Sequence, residues 1–193
     1  MTATAFRYFN WVDILVLMLA IKIIYTSLKA GVIAEFFKLC GTIFTVYVSL
    51  HYYIAVSDSV RVHMGLKRFP VEFLDFIVFL FLAASSYLSV VFIRIVFTKF
   101  MKAQATPRLN RLGGLVLALA RGLLLMSLVV FMLAISSIGY LKNSVKRSYF
   151  GRDLFTVNIA TYNWIWNTFT SKFMVDERPN KTLREVQKGF LGK

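Results

Sequence analysis

The longest uncharged stretch of the sequence is GLLLMSLVVFMLAISSIGYL, residues 122–141 of 193. A membrane-spanning helix needs about 20 predominantly apolar residues, and this stretch reaches that length without an acidic or basic side chain. A second stretch, FIVFLFLAASSYLSVVFI at 76–93, also lacks acidic and basic side chains. Both stretches predict helices that cross a bilayer.

Two further apolar stretches come earlier in the chain. Residues 39–56, LCGTIFTVYVSLHYYIAV, carry no formal charge other than one on a protonated His51, and residues 11–28, WVDILVLMLAIKIIYTSL, contain Asp13 and Lys22. No proline interrupts any of the four stretches. Because no small-residue cleavage site follows the first apolar core, that segment is interpreted as a retained anchor and not as a removable signal peptide.

The sequence therefore predicts an all-α, multi-pass membrane protein with four transmembrane helices. Pro70, followed by Glu72 and Asp75, predicts the start of the third helix, because helix N-termini favour proline and negative charge. The predicted helices lie at about 11–29, 32–56, 71–97 and 112–139, and together they form one domain, residues 1–141.

The composition excludes several classes of protein. Hydrophobic residues make up 58% of the chain and charged residues 17%, against roughly 25% charged in an ordinary soluble domain. The single cysteine, Cys40, precludes an intrachain disulfide, and two histidines are too few for a dedicated metal site. The HExxH, GxSxG and P-loop motifs are absent. We therefore expect no cofactor and no catalytic activity.

The net charge of +14 comes from 23 Lys and Arg against 9 Asp and Glu. The basic residues lie mainly in the predicted loops and in the tail, where each contributes about 1 kcal/mol to contact with anionic lipid. A bilayer with anionic lipids is therefore the predicted partner, and nucleic acid is not needed to explain the charge.

The distribution of these basic residues over the predicted loops indicates the orientation. Eight lie on the side of the N-terminus: Arg7, Arg61, Lys67, Arg68, Lys142, Lys146, Arg147 and Arg152. Five lie on the opposite side: Lys29, Lys99, Lys102, Arg108 and Arg111. The positive-inside rule then places both termini in the cytoplasm.

Four charged residues are candidate intramembrane polar contacts: Asp13, Lys22, Glu35 and Arg121. A charge at bilayer depth costs about 2.5 to 3.5 kcal/mol, so each needs a partner or a position near a helix end. Asp13 and Lys22 are nine residues apart, on opposite faces of a helix, and cannot pair with each other.

Glu35 and Arg121 belong to the same side of an alternating four-helix bundle. If the fourth helix begins near Leu112, Arg121 lies about 13 Å along its axis, too deep for snorkelling alone to be favourable. We therefore predict a contact between Glu35 and Arg121 that fixes helix packing. Three alternatives remain open. The pair has a direct role in moving something across the membrane, or Lys38, three residues after Glu35, compensates that carboxylate, or Arg121 snorkels without a protein partner.

The fourth predicted helix also carries small residues at steps of four. Gly114, Ala118 and Gly122 lie along one stripe of that helix. Small residues let another backbone approach closely, so the spacing predicts a helix-packing stripe.

The tail, residues 142–193, contains a predicted amphipathic helix at about 153–173. Its apolar face consists of residues spaced alternately by four and three: Phe155, Ile159, Tyr162, Trp166, Phe169 and Phe173. A helix with an aromatic face and an uncharged polar face is expected to lie flat in the headgroup region. The alternative is a soluble helix that docks on a partner through the same face. The charged segment after Asp176 is expected to be solvated.

Three segments together resemble a known family. They are Asn10-Trp11-Val12-Asp13, the run KAGVIAE at 29–35, and NRLGG at 110–114 followed by Arg121-Gly122. Over roughly residues 10–140 the chain resembles the colicin V production protein (CvpA) family, with Lys29 and Ala118 departing from its common pattern. The resemblance implies a multi-pass protein of the bacterial inner membrane that is associated with colicin V production or export and with envelope homeostasis. It supplies no catalytic residues.

Two functions are consistent with these features. The first is a non-enzymatic membrane protein that supports toxin production, export or envelope homeostasis by assembling with itself or with other membrane proteins. The alternative is an oligomeric transporter or channel for a small solute or ion. That alternative needs several copies, because four helices in one chain enclose little space.

Overall fold

The computed structural model describes residues 9–28, 30–65, 68–100, 107–174 and 177–191, and these ranges contain helices and no β-strand. The four long helices are α1 (Trp11–Ser27), α2 (Gly31–His63), α3 (Val71–Phe100) and α4 (Pro107–Ile135). After them come α5 (Gly139–Arg147) and α6 (Gly151–Ile165), which continues through a π-helical turn (Trp166–Thr170) and a last turn (Ser171–Phe173). The last helix among the described residues is α7 (Thr182–Leu191).

Local sequence explains how the first helices begin. At the start of α1 the backbone N–H of Asn10 donates to the Asp13 carboxylate at 2.8 Å, and the Asn10 side chain in turn caps the first turn. Gly31 has a φ of 75°, in the left-handed region that favours glycine, so the chain reverses direction between α1 and α2. Pro70 immediately precedes α3 and accepts the first backbone hydrogen bonds of that helix.

The long helices alternate in direction. α3 runs antiparallel to α2, because Tyr53 contacts Phe79 while Gly41, twelve positions earlier, faces Val90. α4 runs parallel to α2, since Glu35 pairs with Arg121. The Tyr53 and Phe131 ring centroids, further along the same two helices, are 6.3 Å apart.

α1 runs antiparallel to α4. The Ser27 hydroxyl at the end of α1 donates to the carbonyl of Gly114, near the start of α4, at 3.1 Å. Asp13, at the beginning of α1, contacts the segment that follows α5. α1 is therefore packed along the apolar length of α4.

Within the part of the chain that the structure describes, three helices are long and apolar enough to cross a membrane: Gly31–His63, Val71–Val96 and Leu112–Ile135. α1 has 17 residues, about 25 Å of helix, and is not among them. Large apolar side chains such as Ile21, Phe81 and Val116 are exposed on the outside of the long helices. These surfaces are suited to lipid or to another membrane protein and not to water.

Apolar residues of the C-terminal helices pack against the bundle. The Phe155 ring of α6 stacks on Phe131 of α4 at 5.4 Å and on Phe190 of α7 at 4.2 Å. Leu183 of α7 is also buried. The expectation that the segment after Asp176 is solvated is therefore wrong for Leu183 and Phe190, which are seven residues apart and give α7 an apolar face that the bundle covers. It agrees with the structure for the charged residues Arg178, Lys181, Arg184, Glu185 and Lys188, which are exposed.

Candidate functional site

A charged cluster lies at the interface of α2 and α4. The Arg121 Nε donates to Glu35 Oε2 at 3.0 Å, and the Lys38 ammonium bonds the other carboxylate oxygen. Glu35 has no exposed surface and Arg121 is 5% exposed, so the pair is removed from solvent. The structure thus brings Glu35 and Arg121 together and also forms the Glu35–Lys38 contact.

The arrangement decides between the sequence alternatives for Arg121. A snorkelling arginine would place its guanidinium at the bilayer surface, whereas Arg121 is buried and bonded to a carboxylate. That alternative is wrong. A buried guanidinium needs a partner of opposite charge, and Glu35 supplies it from the neighbouring helix.

Asp13 forms a second buried network at the opposite end of the bundle. Its carboxylate accepts hydrogen bonds from the Ser148 hydroxyl at 2.6 Å and from the backbone N–H groups of Tyr149 and Phe150. The network ties the start of α1 to the turn between α5 and α6. Lys22, in contrast, is exposed on the outer surface of α1.

The predicted small-residue stripe faces α1 and the start of α2. A Cβ atom at Gly114 would lie 3.1 Å from the carbonyl carbon of Gly31, and one at Gly122 would lie 3.3 Å from the Ile23 side chain. Ala118, between them, has no exposed surface. Within this chain, the stripe lets the α1–α2 turn approach the backbone of α4.

The predicted interfacial face of the tail helix is divided in two. Phe155, Ile159, Tyr162 and Trp166 are buried against the bundle. These four residues therefore do not face lipid, and the prediction is wrong for them. Phe169 and Phe173 are 51% and 83% exposed.

The π-helical turn over 166–170 explains the division. A π turn closes i→i+5 hydrogen bonds and inserts about one extra residue into the helix. The residues that follow are then rotated by about 100° relative to a continuous α-helix. Phe169 and Phe173 consequently leave the buried stripe, which sequence spacing alone could not indicate.

A polar cluster around His51 was not predicted. The Tyr162 hydroxyl of α6 lies 3.0 Å from His51 Nδ1, and it accepts a hydrogen bond from the backbone N–H of Asn180. Glu177 places one carboxylate oxygen 3.1 Å from His51 Nε2, while the other accepts from the Tyr52 hydroxyl at 3.0 Å. The cluster holds the segment before α7 against α2.

Aromatic packing and burial reinforce this cluster. The Trp166 ring is stacked on His51 with centroids 5.5 Å apart, and the Asn180 side chain donates to the carbonyl of Leu50 at 2.8 Å. Burial raises the pKa of the Tyr162 hydroxyl to about 12 from an ordinary value of about 10. The only sequence signal for this contact was the concentration of aromatic residues in both segments.

α6 crosses α4 and α2 at a similar level. It meets α4 at Phe131, about 15 Å beyond Arg121, and meets α2 at Tyr47 and His51, about 18–24 Å beyond Glu35. Between Phe155 and Trp166, the residues that make these contacts, α6 advances about 17 Å along its own axis. This advance is larger than the difference in level between its contact on α4 and its contacts on α2. α6 therefore lies across the bundle more than along it.

The charged and aromatic clusters hold helices together and present no arrangement for metal chemistry. Among the residues that the structure describes, no group of three or more His, Cys, Asp or Glu side chains is placed to hold a metal ion. Glu35 and Arg121 are each engaged within the chain, which leaves neither side chain available to a substrate in this conformation.

Comparison with known proteins identifies the family. The family model described as "Colicin V production protein" matches residues 12–160, which include α1 to α5 and most of α6. No curated protein and no solved structure matches the chain. Since the matched region covers well over half of the sequence and contains three apolar helices of membrane-spanning length, the chain is a membrane protein that belongs to the colicin V production protein family.

Proposed function

We propose that this protein is a four-span, non-enzymatic component of the bacterial inner membrane. It supports toxin production, toxin export or envelope homeostasis by assembling with itself or with other membrane proteins. Both termini lie in the cytoplasm, and anionic lipid contacts the basic loops. The family match supports the general assignment, and the geometry of the bundle supports the mode of action.

The packing of α1 supports a fourth crossing. Its end contacts α4 at Gly114, and its start contacts the segment after α5, so it covers the apolar length of α4. A helix packed along the apolar length of α4 crosses the same part of the bilayer as α4. The 17 residues of α1 give about 25 Å, and the capping residue and the α1–α2 turn extend this toward the roughly 30 Å of a hydrocarbon core.

The closed Glu35–Arg121–Lys38 cluster is the observation that carries the proposal. A transport path lines its route with polar groups that are free to bind solute, whereas here both carboxylate oxygens are bonded within the chain. The serines of α3 likewise donate to backbone carbonyls of their own helix. These polar groups therefore serve packing within the bundle, and its apolar exterior is left for association.

Crosslinking in intact membranes tests the proposal. We expect a crosslinker to capture further copies of this chain or a specific membrane protein, identified by mass spectrometry. Arg121→Leu should reduce that capture because it leaves Glu35 buried without its interhelical partner. Arg152→Leu is the matched control, since Arg152 is an exposed arginine of α6 that lies outside the long helices.

A flux assay separates the proposal from the transporter alternative. Purified protein in vesicles should pass no ion or small solute. Flux that the wild type supports and Arg121→Leu abolishes would contradict the proposed assembly role. A compartment-sensitive reporter fused after Lys193 tests the orientation, and a periplasmic signal from it would contradict the cytoplasmic C-terminus.

A further inference from the structure

A cleft lies between the start of α1 and one face of α5. It has a volume of about 320 Å³, against roughly 30 Å³ for a water molecule in the liquid. One lining residue, Asn10, caps α1, and the other lining residues lie on α5 at successive steps of three, one and three: Tyr140, Asn143, Ser144 and Arg147. This spacing puts them on one helical face.

The groups presented by the cleft favour an anion. Arg147 and Asn143 are exposed and bring a fixed positive charge and an amide N–H donor. The Asn10 amide donates to the carbonyl of Ser144 at 3.2 Å, which ties the α1 cap to α5. The described residues that line the cleft include no acidic side chain.

The Asp13 carboxylate, the nearest on α1, does not fully neutralise the positive charge that Arg147 brings to the cleft. Asp13 has no exposed surface, and its oxygens already accept hydrogen bonds from the Ser148 hydroxyl and from three backbone N–H groups. These donors stabilise the negative charge locally. The exposed guanidinium of Arg147 is therefore the charge that an approaching ligand meets.

An aromatic pair adjoins the polar groups. The rings of Trp11 and Tyr140 are parallel within 5°, with centroids 6.3 Å apart, and Tyr140 also lines the cleft. Trp and Tyr side chains are enriched where hydrocarbon meets headgroups, because each has an apolar ring and a polar tip. The Trp11 indole N–H is buried without a hydrogen-bond partner, so it adds an unsatisfied donor to this region.

We propose that this cleft binds a phosphate group, with Arg147 and Asn143 as the donors. The aromatic pair favours the headgroup of an anionic phospholipid as its source, because Trp11 and Tyr140 can contact the apolar part of the same molecule. Free inorganic phosphate shares the chemistry that Arg147 recognises. The lipid source rests on the proposed four-span topology, which places the start of α1 at the bilayer surface.

Thermal unfolding of the purified full-length protein in neutral detergent tests the site. Short-chain phosphatidylglycerol, short-chain phosphatidylcholine and inorganic phosphate are added separately at equal ionic strength. Phosphatidylglycerol should raise the Tm of the wild type by about 2–4 °C. Arg147→Gln and Asn143→Asp should lose at least half of that rise, because one removes the charge and the other introduces a repelling carboxylate.

Arg152→Gln is the matched control, since Arg152 is an exposed arginine five positions after Arg147 in the sequence and is not among the residues that line the cleft. Its Tm rise should equal that of the wild type. An equal rise in Arg147→Gln would overturn the proposal, because it would show general surface attraction only.

The two sources of phosphate give different results. If inorganic phosphate alone produces the same Arg147-dependent rise, the site binds the free anion. If phosphatidylglycerol is required, the site binds lipid. Each variant is compared with its own Tm without additive, so altered folding does not enter. The purified protein in detergent contains no partner protein. An absent Tm rise would therefore overturn the phosphate site without affecting the crosslinking test of the proposed function.

Discussion

The two buried polar clusters on α2 differ in how they are built. The first joins Glu35 and Arg121 through formal charges that belong to the long helices themselves. The second lies about 24 Å further along α2 and joins His51 to Tyr162, with Glu177 contributed by the C-terminal segment. The charged cluster closes the bundle, while the aromatic cluster attaches the tail to it.

This difference separates a core from an attached element. Breaking the charged cluster leaves an unpaired charge inside the bundle, so it should affect the whole fold. Breaking the aromatic cluster removes hydrogen bonds between neutral or partly exposed groups, so it should release the C-terminal segment first.

Removal of the Glu35 carboxylate should have the largest effect. Glu35→Ala leaves the Arg121 guanidinium buried without its partner, which costs about 3–5 kcal/mol. We expect a comparable loss in the free energy of unfolding, measured by denaturant titration in detergent. The double variant Glu35→Leu with Arg121→Leu should recover much of it, because no charge is then left unpaired.

Lys38→Met is the control for this experiment. The Lys38 side chain is 18% exposed and contacts the same carboxylate, so its loss should cost clearly less than that of Glu35. Equal destabilisation by the two single variants would show that the interhelical pair has no special role.

A methyl group at Gly114 should have the next largest effect. The added Cβ would meet the backbone of the α1–α2 turn at Gly31. Neither backbone segment can move away unless a whole helix shifts. Overpacking of this kind costs about 1–3 kcal/mol, which thermal unfolding can measure.

Gly122→Ala provides the comparison within the same stripe. The atoms nearest to its Cβ belong to the Ile23 side chain, which can change conformation. We therefore expect a smaller loss than at Gly114. A larger loss at Gly122 would contradict the view that backbone approach at Gly114 determines the spacing between these helices.

Loss of the Tyr162 hydroxyl should act on the tail alone. Tyr162→Phe leaves His51 and the Asn180 N–H without this buried partner, at a cost of about 1–3 kcal/mol. Trypsin should then cut at Arg184 in α7 faster, by about tenfold for every 1.4 kcal/mol lost from the free energy of opening the tail. The long helices should stay intact.

Tyr149→Phe is the matched control for the tail experiment, because Tyr149 is 58% exposed. Its cleavage rate should match that of the wild type. If Tyr162→Phe unfolded the long helices at the same denaturant concentration as α7, the core and the tail would form one cooperative unit, and the distinction drawn here would be wrong.

The sequence predicted the charged cluster because charges within apolar stretches are few. With only Glu35 available near the level of Arg121, alternation of helix direction was sufficient to pair them. The small-residue stripe could also be predicted, because its three residues recur at steps of four within a single helix. All these signals come from periodicity and burial cost, which act locally.

The aromatic cluster could not be predicted because it depends on tertiary position. His51 and Glu177 are 126 positions apart, and nothing in their local sequences relates them. The spacing of the tail helix correctly gave its apolar stripe as far as Trp166, but it could not reveal the π-helical turn that redirects Phe169 and Phe173. Nor could it indicate that the bundle, and not lipid, covers this stripe.

Alkaline pH should produce the smallest and most local effect. Burial raises the Tyr162 pKa to about 12 from an ordinary value of about 10, so folding favours the protonated hydroxyl. The stability that the folded state gains from keeping the Tyr162 hydroxyl protonated is complete below pH 10 and is lost as the pH rises through 12. The tail should therefore loosen between pH 10 and 12, seen as a change in Trp166 fluorescence when Trp11 and Trp164 are replaced by Phe.

Tyr162→Phe in the same background separates this hydroxyl from the other groups that titrate at high pH. The difference between the two pH profiles should fall between pH 10 and 12, because only the first protein contains the buried hydroxyl. At neutral pH the hydroxyl is uncharged, so ionisation contributes nothing to the cost of the substitution there. Parallel profiles over this interval would mean that Tyr162 does not titrate against the packing of the tail, and that its contact with His51 contributes hydrogen bonding alone.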